Sequence, residues 1–200
     1  MGKDQKHTIL YFGSFDPVHI GHMIIAEYFA NLEEVREVWF VLSPVNPFKQ
    51  EKERTHEQTR LKLLKIAIGN QPCYRICDIE FSMEPPHYTY KTMQKLEKQF
   101  PEHNFALLIG GDNLFEFDKW KNYREILDQF PVYVYPRPGY DTAAFNEYPN
   151  LHKTQAPMIG ISSSQLRENL ANGLSARFLL PEGVYAYIVK HRLYQSPNAS

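Results

Sequence analysis

Cysteine is scarce in this chain: Cys73 and Cys77 are the only two among 200 residues. Their spacing matches neither a Cys-x-x-Cys redox pair nor, without further partners, a four-ligand zinc site, so both are expected to be ordinary packing or surface residues. Long apolar runs are missing too. No segment reaches the length a membrane-spanning helix needs, the first six residues are mostly polar, and position 6 is lysine where an N-myristoylation signal wants Ser or Thr. The expectation is a soluble cytoplasmic protein with no membrane partner. Nor is there an excess of one charge. With 22 basic and 23 acidic side chains the formal net charge is −1, which gives no field to gather a polyanion and argues against nucleic acid as the main partner. Internal repeats and low-complexity segments are absent; residues 1–6 and 196–200 are expected to fray.

What is present suffices for one core: 200 residues with 43% apolar content predict a single domain over 1–200. Strand-like runs at 8–12, 35–42, 74–77, 105–109, 132–135 and 158–161 alternate with helical spacing. That spacing shows in Ile25/Tyr28/Phe29/Leu32, Leu61/Leu64/Ile68, Met93/Leu96/Phe100, Tyr123/Ile126/Phe130 and Val184/Tyr187/Ile188. Each set supplies one apolar stripe for a sheet. The alternation predicts an α/β fold, a Rossmann-like doubly wound parallel sheet with helices on both faces. Residues 43–56 and 137–152, rich in proline, read as long loops, and the charged run at 49–54 as solvated surface or a mobile lid.

Phe12-Gly-Ser-Phe-Asp-Pro-Val-His-Ile-Gly-His22 follows the first strand run directly. In an open parallel sheet, ligands bind beyond the carboxyl ends of the strands. Gly13 lets the chain leave the strand with its amides near a ligand, and Asp16-Pro17 reads as a turn or cap feeding a helix. The spacing of Gly13 and Gly21 fits neither a dinucleotide fingerprint nor a P-loop. His19 and His22, three apart, share one face at a helix start, where free amides and the helix dipole favour phosphate. The same pair also suits simple packing or half of a metal site, and the spacing does not choose. Residues 162–167 read as a second helix start, with Ser162 or Ser163 as cap and Gln165 able to complete a capping box. Arg167 there is either a surface residue or a planar fork for phosphate oxygens. Asp112, after a strand and Gly110-Gly111, suits a ribose hydroxyl or a helix cap, and Trp120 suits a helix anchor.

The stretch from Gly13 to His22 closely resembles the Gly-x-Phe-Asp-Pro-x-His-x-Gly-His signature of the nucleotidyltransferase superfamily. Members join a nucleotide to a phosphate or similar acceptor and release pyrophosphate. Six further stretches, in order along nearly the whole chain, resemble the nicotinate-mononucleotide adenylyltransferase family in particular. They are Pro44-Val-Asn-Pro-Phe-Lys49, Arg60, Pro86-His-Tyr-Thr89 with Thr92, Gly110-Gly-Asp112 with Trp120, Arg137-Pro-Gly-Tyr140, and Ile161-Ser-Ser-Ser-Gln-Leu-Arg167. The resemblance implies adenylyl transfer from ATP to nicotinate mononucleotide, giving deamido-NAD and pyrophosphate in NAD biosynthesis. It assigns catalysis to His19, His22, Lys49 and Arg167, and ATP binding to Gly13, Ser14, Phe15, Ser162, Ser163 and Ser164 with His19, His22 and Arg167. Tyr88, Thr89, Asp112, Trp120 and Arg137 would hold the pyridine nucleotide, the indole against the ring and the Tyr88-Thr89 turn at the nicotinate carboxylate. Mg2+ would ride mainly on the ATP phosphates and water, with no dedicated protein cage. The implied partners are these two small molecules, and self-association is left open.

The chain departs from the family pattern at three places. Phe48 stands where the family usually has histidine, Ser164 where it often has threonine, and His87 where it usually has serine, close to the expected discriminator between acid and amide. A related transferase taking nicotinamide mononucleotide, phosphopantetheine or a cytidylyl donor is the nearest alternative, and substrate profiling separates it. The His-Ile-Gly-His core also occurs in class I aminoacyl-tRNA synthetases, but no Lys-Met-Ser-Lys-Ser-like loop or anticodon domain fits this length. A non-catalytic adenine-nucleotide sensor would bind nucleotide without releasing pyrophosphate.

Overall fold

Residues 6–44, 55–140 and 148–195 are described by a computed structural model of the chain. Six strands form one all-parallel sheet: β1 His7–Gly13, β2 Val35–Leu42, β3 Tyr74–Cys77, β4 Asn104–Gly110, β5 Val132–Tyr135 and β6 Leu151–Lys153. Their order is β3-β2-β1-β4-β5-β6, so the direction of winding reverses between β1 and β4, and the crevice for a ligand opens beyond their carboxyl ends. The expected doubly wound fold is the fold observed.

Among the described residues seven α-helices, α1 Ile20–Ala30, α2 Glu57–Ile68, α3 Thr89–Gln99, α4 Gly111–Phe115, α5 Tyr123–Gln129, α6 Ser163–Ala171 and α7 Glu182–Lys190, connect and cover the strands. Alternate residues of the central strands face opposite cores, as a period of two requires. Ile9, Tyr11, Val38, Phe40 and Leu42 join Ile25, Phe29, Leu64, Leu166, Val184 and Ile188 on the side of α1, α2, α6 and α7. Leu10, Trp39, Val41, Leu107 and Ile109 join Met93, Leu96, Leu114 and Ile126 on the side of α3, α4 and α5. No helix among the described residues is long and apolar enough to cross a membrane. Cys73 is half-buried, Cys77 buried, and both are free thiols.

Two local expectations are corrected. Residues 158–161 are not a strand; Met158 is 63% exposed and the segment is an irregular lead into α6. The sixth strand is β6, which begins at the end of the stretch expected to be loop and runs one residue past it. Three residues, Leu151-His152-Lys153, at an edge carry too little apolar alternation to register in sequence, and β6 exists because β5 offers it hydrogen bonds. Asp16 and Pro17 form the turn expected ahead of α1, whose N-cap is His19, and Asp16 is buried. The central part of the 43–56 loop, including Phe48 and Lys49, lies outside the described residues, as does 141–147.

Candidate active site

The histidine pair forms at the mouth of the β1–β4 crevice. His19 is the N-cap of α1 and His22 its third residue, and each ring nitrogen Nδ1 accepts the other residue's backbone N–H, at 3.3 Å and 3.2 Å. The two rings stack with centroids 3.7 Å apart. A capping box built from two histidines has a chemical consequence: with Nδ1 occupied as acceptor, the neutral ring carries its proton on Nε2. Burial lowers the His19 pKa to about 4, with Arg137 adding to the effect. Burial, then His19, then Arg137 hold His22 well below the ordinary histidine value. At neutral pH both are uncharged donors next to a helix N-terminus, which suits oxygen atoms that gain negative charge.

The loop ahead of the pair is fixed from below. A Cβ on Gly13 would sit 2.8 Å from the Phe15 ring, so only glycine lets that ring tuck beneath β1. Phe15 takes φ 45, a left-handed backbone that costs a bulky residue energy. Its ring is 1% exposed and packs edge-on to His22, 5.0 Å between centroids. Only the backbone of Phe15 is therefore available to a nucleotide. Farther parts of the chain converge here. Tyr194 Oη donates to Asp16 Oδ1 at 2.8 Å, Arg167 Nη1 to the Asp16 carbonyl at 2.8 Å, and Ser163 Oγ to the Pro17 carbonyl at 3.0 Å. Ser162 caps α6 as expected, accepting from Gln165 N at 3.2 Å. Arg167 also reaches Ser164 Oγ at 3.3 Å.

On the β5 side, Arg137 Nη1 donates to the Ile159 carbonyl at 3.0 Å, and its Nε stands 3.6 Å from Asp112 Oδ1. Arg137 was expected beside the pyridine nucleotide; here it lines a small cavity of about 100 Å³ with His19, His22, Ser162 and Ser163. Asp112 lies in the first turn of α4 without acting as its cap. Tyr11 and Tyr135 line both this cavity and a larger cleft of about 760 Å³. The larger cleft runs past Gly13, Ser43, Glu80, Pro86, His87, Tyr88, Thr89 and Asn113 to Trp120. Trp120 is half-buried and leans on Phe117, with centroids 5.1 Å apart.

Of the sequence candidates, Gly13, Tyr88, Thr89 and Trp120 line the larger cleft and His19, His22, Ser162, Ser163 and Arg137 the smaller cavity, while Ser14, Phe15, Ser164, Arg167 and Asp112 line neither and Lys49 lies outside the described residues. Tyr194 and Glu80, around these hollows, were not among the sequence candidates, and Arg60 entered only by resemblance. Arg60, on the first turn of α2, is fully buried and donates from Nη1 to the carbonyls of Ser14 at 2.7 Å and Ser43 at 2.8 Å, and from Nε to that of Thr55 at 3.3 Å. One cation therefore joins the loops that leave β1 and β2. Arg60 did stand out by resemblance, but no charge or periodicity signal distinguishes a buried arginine from a surface one.

A family model described as cytidylyltransferase-like matches residues 10–169. A Cytophaga hutchinsonii protein named "Probable nicotinate-nucleotide adenylyltransferase" is 39% identical over 187 residues, 94% of this chain and 97% of that protein. An Azobacteroides pseudotrichonymphae protein of the same name is 43% identical over 180 residues, covering 90% of this chain and 94% of that one. The structure of Plasmodium falciparum nicotinic acid mononucleotide adenylyltransferase complexed with NaAD matches with a TM-score of 0.82 at 22% identity, over 94% of this chain and 97% of that one. That last likeness speaks to the fold, which is the doubly wound sheet described above. With the signature histidines stacked at its switch point and relatives of this identity aligned from end to end, the chain belongs to the nicotinate-nucleotide adenylyltransferase family.

Proposed function

We propose that the protein transfers the adenylyl group of ATP to the phosphate of nicotinate mononucleotide, forming deamido-NAD and pyrophosphate. An oxygen of the acceptor phosphate attacks the α-phosphorus. A new P–O bond forms, the bond to the α–β bridging oxygen breaks, and pyrophosphate leaves with that electron pair. No covalent enzyme intermediate is needed, because the acceptor is already anionic at neutral pH. The protein's task is to align two polyanions and stabilise the charge that grows on the transferred group.

The observation that carries this reading is the reciprocal His19–His22 capping box, which leaves two Nε2–H donors beside the N-terminus of α1. In the proposal these donate to the α-phosphate and the bridging oxygen. Arg167, Lys49 and the amides at the start of α6 hold the outer phosphates, and Arg137 adds positive charge between the two hollows. Trp120 stacks on the pyridine, Asp112 takes the ribose and Tyr88-Thr89 meets the ring substituent. Among the described residues no three His, Cys, Asp or Glu side chains converge as a metal site. In this reading Mg2+ would be carried mainly by the triphosphate oxygens and water, where it would neutralise charge on the departing pyrophosphate. The substrates are water-soluble, and the cytoplasm is the compartment this reading assigns.

Pyrophosphate release from ATP and Mg2+ with a panel of mononucleotides is the test. Turnover is expected with nicotinate mononucleotide. Absence of turnover with every pyridine mononucleotide would overturn the reading, and nucleotide binding without release would mark a sensor. The stacking role has its own test, since Trp120 both lines the cleft and touches Phe117. Trp120→Ala is expected to raise KM for the mononucleotide and leave that for ATP nearly unchanged. A loss of about 1–2 kcal/mol from stacking on a cationic ring is roughly 5- to 30-fold in kcat/KM. A core anchor would instead cost about 3–5 kcal/mol of stability and depress both substrates together, which a thermal melt would reveal.

A further inference from the structure

The segment after α7 carries two bulky residues in left-handed backbone, Arg192 at φ 50 and Tyr194 at φ 63. Such conformations cost side-chain-bearing residues energy and persist where surrounding contacts hold them. Leu193 N–H closes the end of α7 by donating to the Ile188 carbonyl at 3.0 Å, and Leu193 and Tyr194 pack against the core on the α1 side. The bend delivers the Tyr194 phenol to the turn after β1, where Oη donates to Asp16 Oδ1 at 2.8 Å. Asp16 is buried, and among the described residues Tyr194 is the one hydrogen-bond partner of its carboxylate.

Three parts of the site meet at that contact. Asp16 and Pro17 lead from β1 to the cap residue His19. Their carbonyls accept from the start of α6, that of Asp16 from Arg167 Nη1 at 2.8 Å and that of Pro17 from Ser163 Oγ at 3.0 Å. The Thr55 hydroxyl is a second partner of the phenol, and the Thr55 carbonyl accepts from Arg60 Nε at 3.3 Å. Tyr194 therefore touches the loops that follow β1 and β2 and, through Asp16, the arginine of α6. None of Asp16, Thr55, Arg167 and Tyr194 lines the larger cleft. Burial, followed by the charge of Asp16, raises the phenol pKa well above its ordinary value, so the hydroxyl stays a donor at any working pH.

We infer that Tyr194 is a positioning residue for ATP: its bond to the Asp16 carboxylate fixes the turn whose carbonyl orients Arg167 toward the outer phosphates. This rests on the role given to Arg167 in the proposed function and names a residue that role depends on. Two anchors, the Asp16 carbonyl and Ser164 Oγ at 3.3 Å, hold the guanidinium before ATP arrives. A side chain already ordered loses less freedom on binding, so the anchors appear as affinity for ATP. Without the phenol the buried carboxylate has lost its partner, the turn shifts toward another, and the Asp16 carbonyl moves with it.

The test is Tyr194→Phe, which removes only the hydroxyl, assayed for adenylyl transfer with each substrate varied in turn. KM for ATP is expected to rise by about 3- to 10-fold, part of what one hydrogen bond to a charged group is worth, while KM for nicotinate mononucleotide stays nearly unchanged. A bond that serves stability alone would lower Tm and leave KM for ATP where it was, and that result would overturn the proposal. The route through Arg167 is read from a double-mutant cycle. Once Arg167→Ala has removed the guanidinium, Tyr194→Phe should add little to KM for ATP; full additivity would overturn the proposal. Should Tyr194→Phe fail to fold, Asp16→Ala breaks the same bond from its other end without leaving a charge unpaired, and an unchanged KM for ATP there would overturn it on its own. An unchanged KM for ATP in Arg167→Ala would reject the role of Arg167 itself and the inference with it. Failure of the wild type to adenylylate any pyridine mononucleotide would reject the proposed function, so the failures are distinguishable.

Discussion

Replacing His22 by alanine is expected to lower kcat by roughly 10²–10³, the usual cost of one preorganised donor aimed at developing charge. The expectation comes from the way the ring is held. Its Nδ1 is engaged by the backbone of His19, its face by the His19 ring, and its edge lies near Phe15 and Tyr11, with centroids 5.0 Å and 6.0 Å away. Nothing in that setting can rotate into the vacated place, so the remaining donor acts alone. Truncation also removes one arm of the capping box, worth about 1 kcal/mol, so a modest fall in Tm accompanies the kinetic loss. Single-turnover adenylyl transfer and a thermal melt on the same preparation check both. If the melt collapsed while the folded fraction turned over at the wild-type rate, His22 would be a packing residue and the donor role would be lost.

Arg60→Met is expected to produce the largest loss of stability. The guanidinium is fully buried and satisfies the carbonyls of Ser14, Ser43 and Thr55. Methionine fills similar space but leaves those acceptors unpaired away from water, at about 1–3 kcal/mol each. Partial solvation and relaxation bring the sum to about 3–5 kcal/mol, comparable to breaking other buried charged networks. For a chain of this size that is a fall in Tm of roughly 8–16 °C. Because Gly13 and Ser43 both line the larger cleft, KM for the mononucleotide should rise as well. Arg60→Lys should recover only part of the loss, since an ammonium lacks the planar fork that spans separate carbonyls. A melting shift of only a degree or two would show that the loops after β1 and β2 are held by something else.

Local physics made most of the fold readable in advance. The runs at 35–42, 74–77 and 132–135 coincide with β2, β3 and β5: Val38–Leu42 and the whole of β5 are buried and so apolar or aromatic throughout, while β3, at the sheet edge, is legible by its alternation with exposed Arg75. The stripes on α2 and α7 are equally legible: α2 packs against β3 and α7 packs on α2, each burying one face, and the period of 3.6 survives in sequence. The signature around His19 and His22 is local in the same sense, since capping couples residues three apart and the motif spells the cap.

Partners distant in sequence were a matter for the tertiary structure. Tyr194 meets Asp16 across 178 residues and Arg167 meets it across 151, and neither contact leaves a periodic trace. β6 is a strand only because β5 lies beside it. Arg60 and Glu80 are charged residues whose buried state depends on where separate loops and helices converge. A charge reads the same in sequence whether water or protein solvates it. The helical stripes and strand alternation were decided by each segment's own need to bury one face, and so were written in the sequence. The tautomers of the histidine pair and the cation beneath the loops were decided by desolvation and long-range contact, which exist only once the chain has closed on itself.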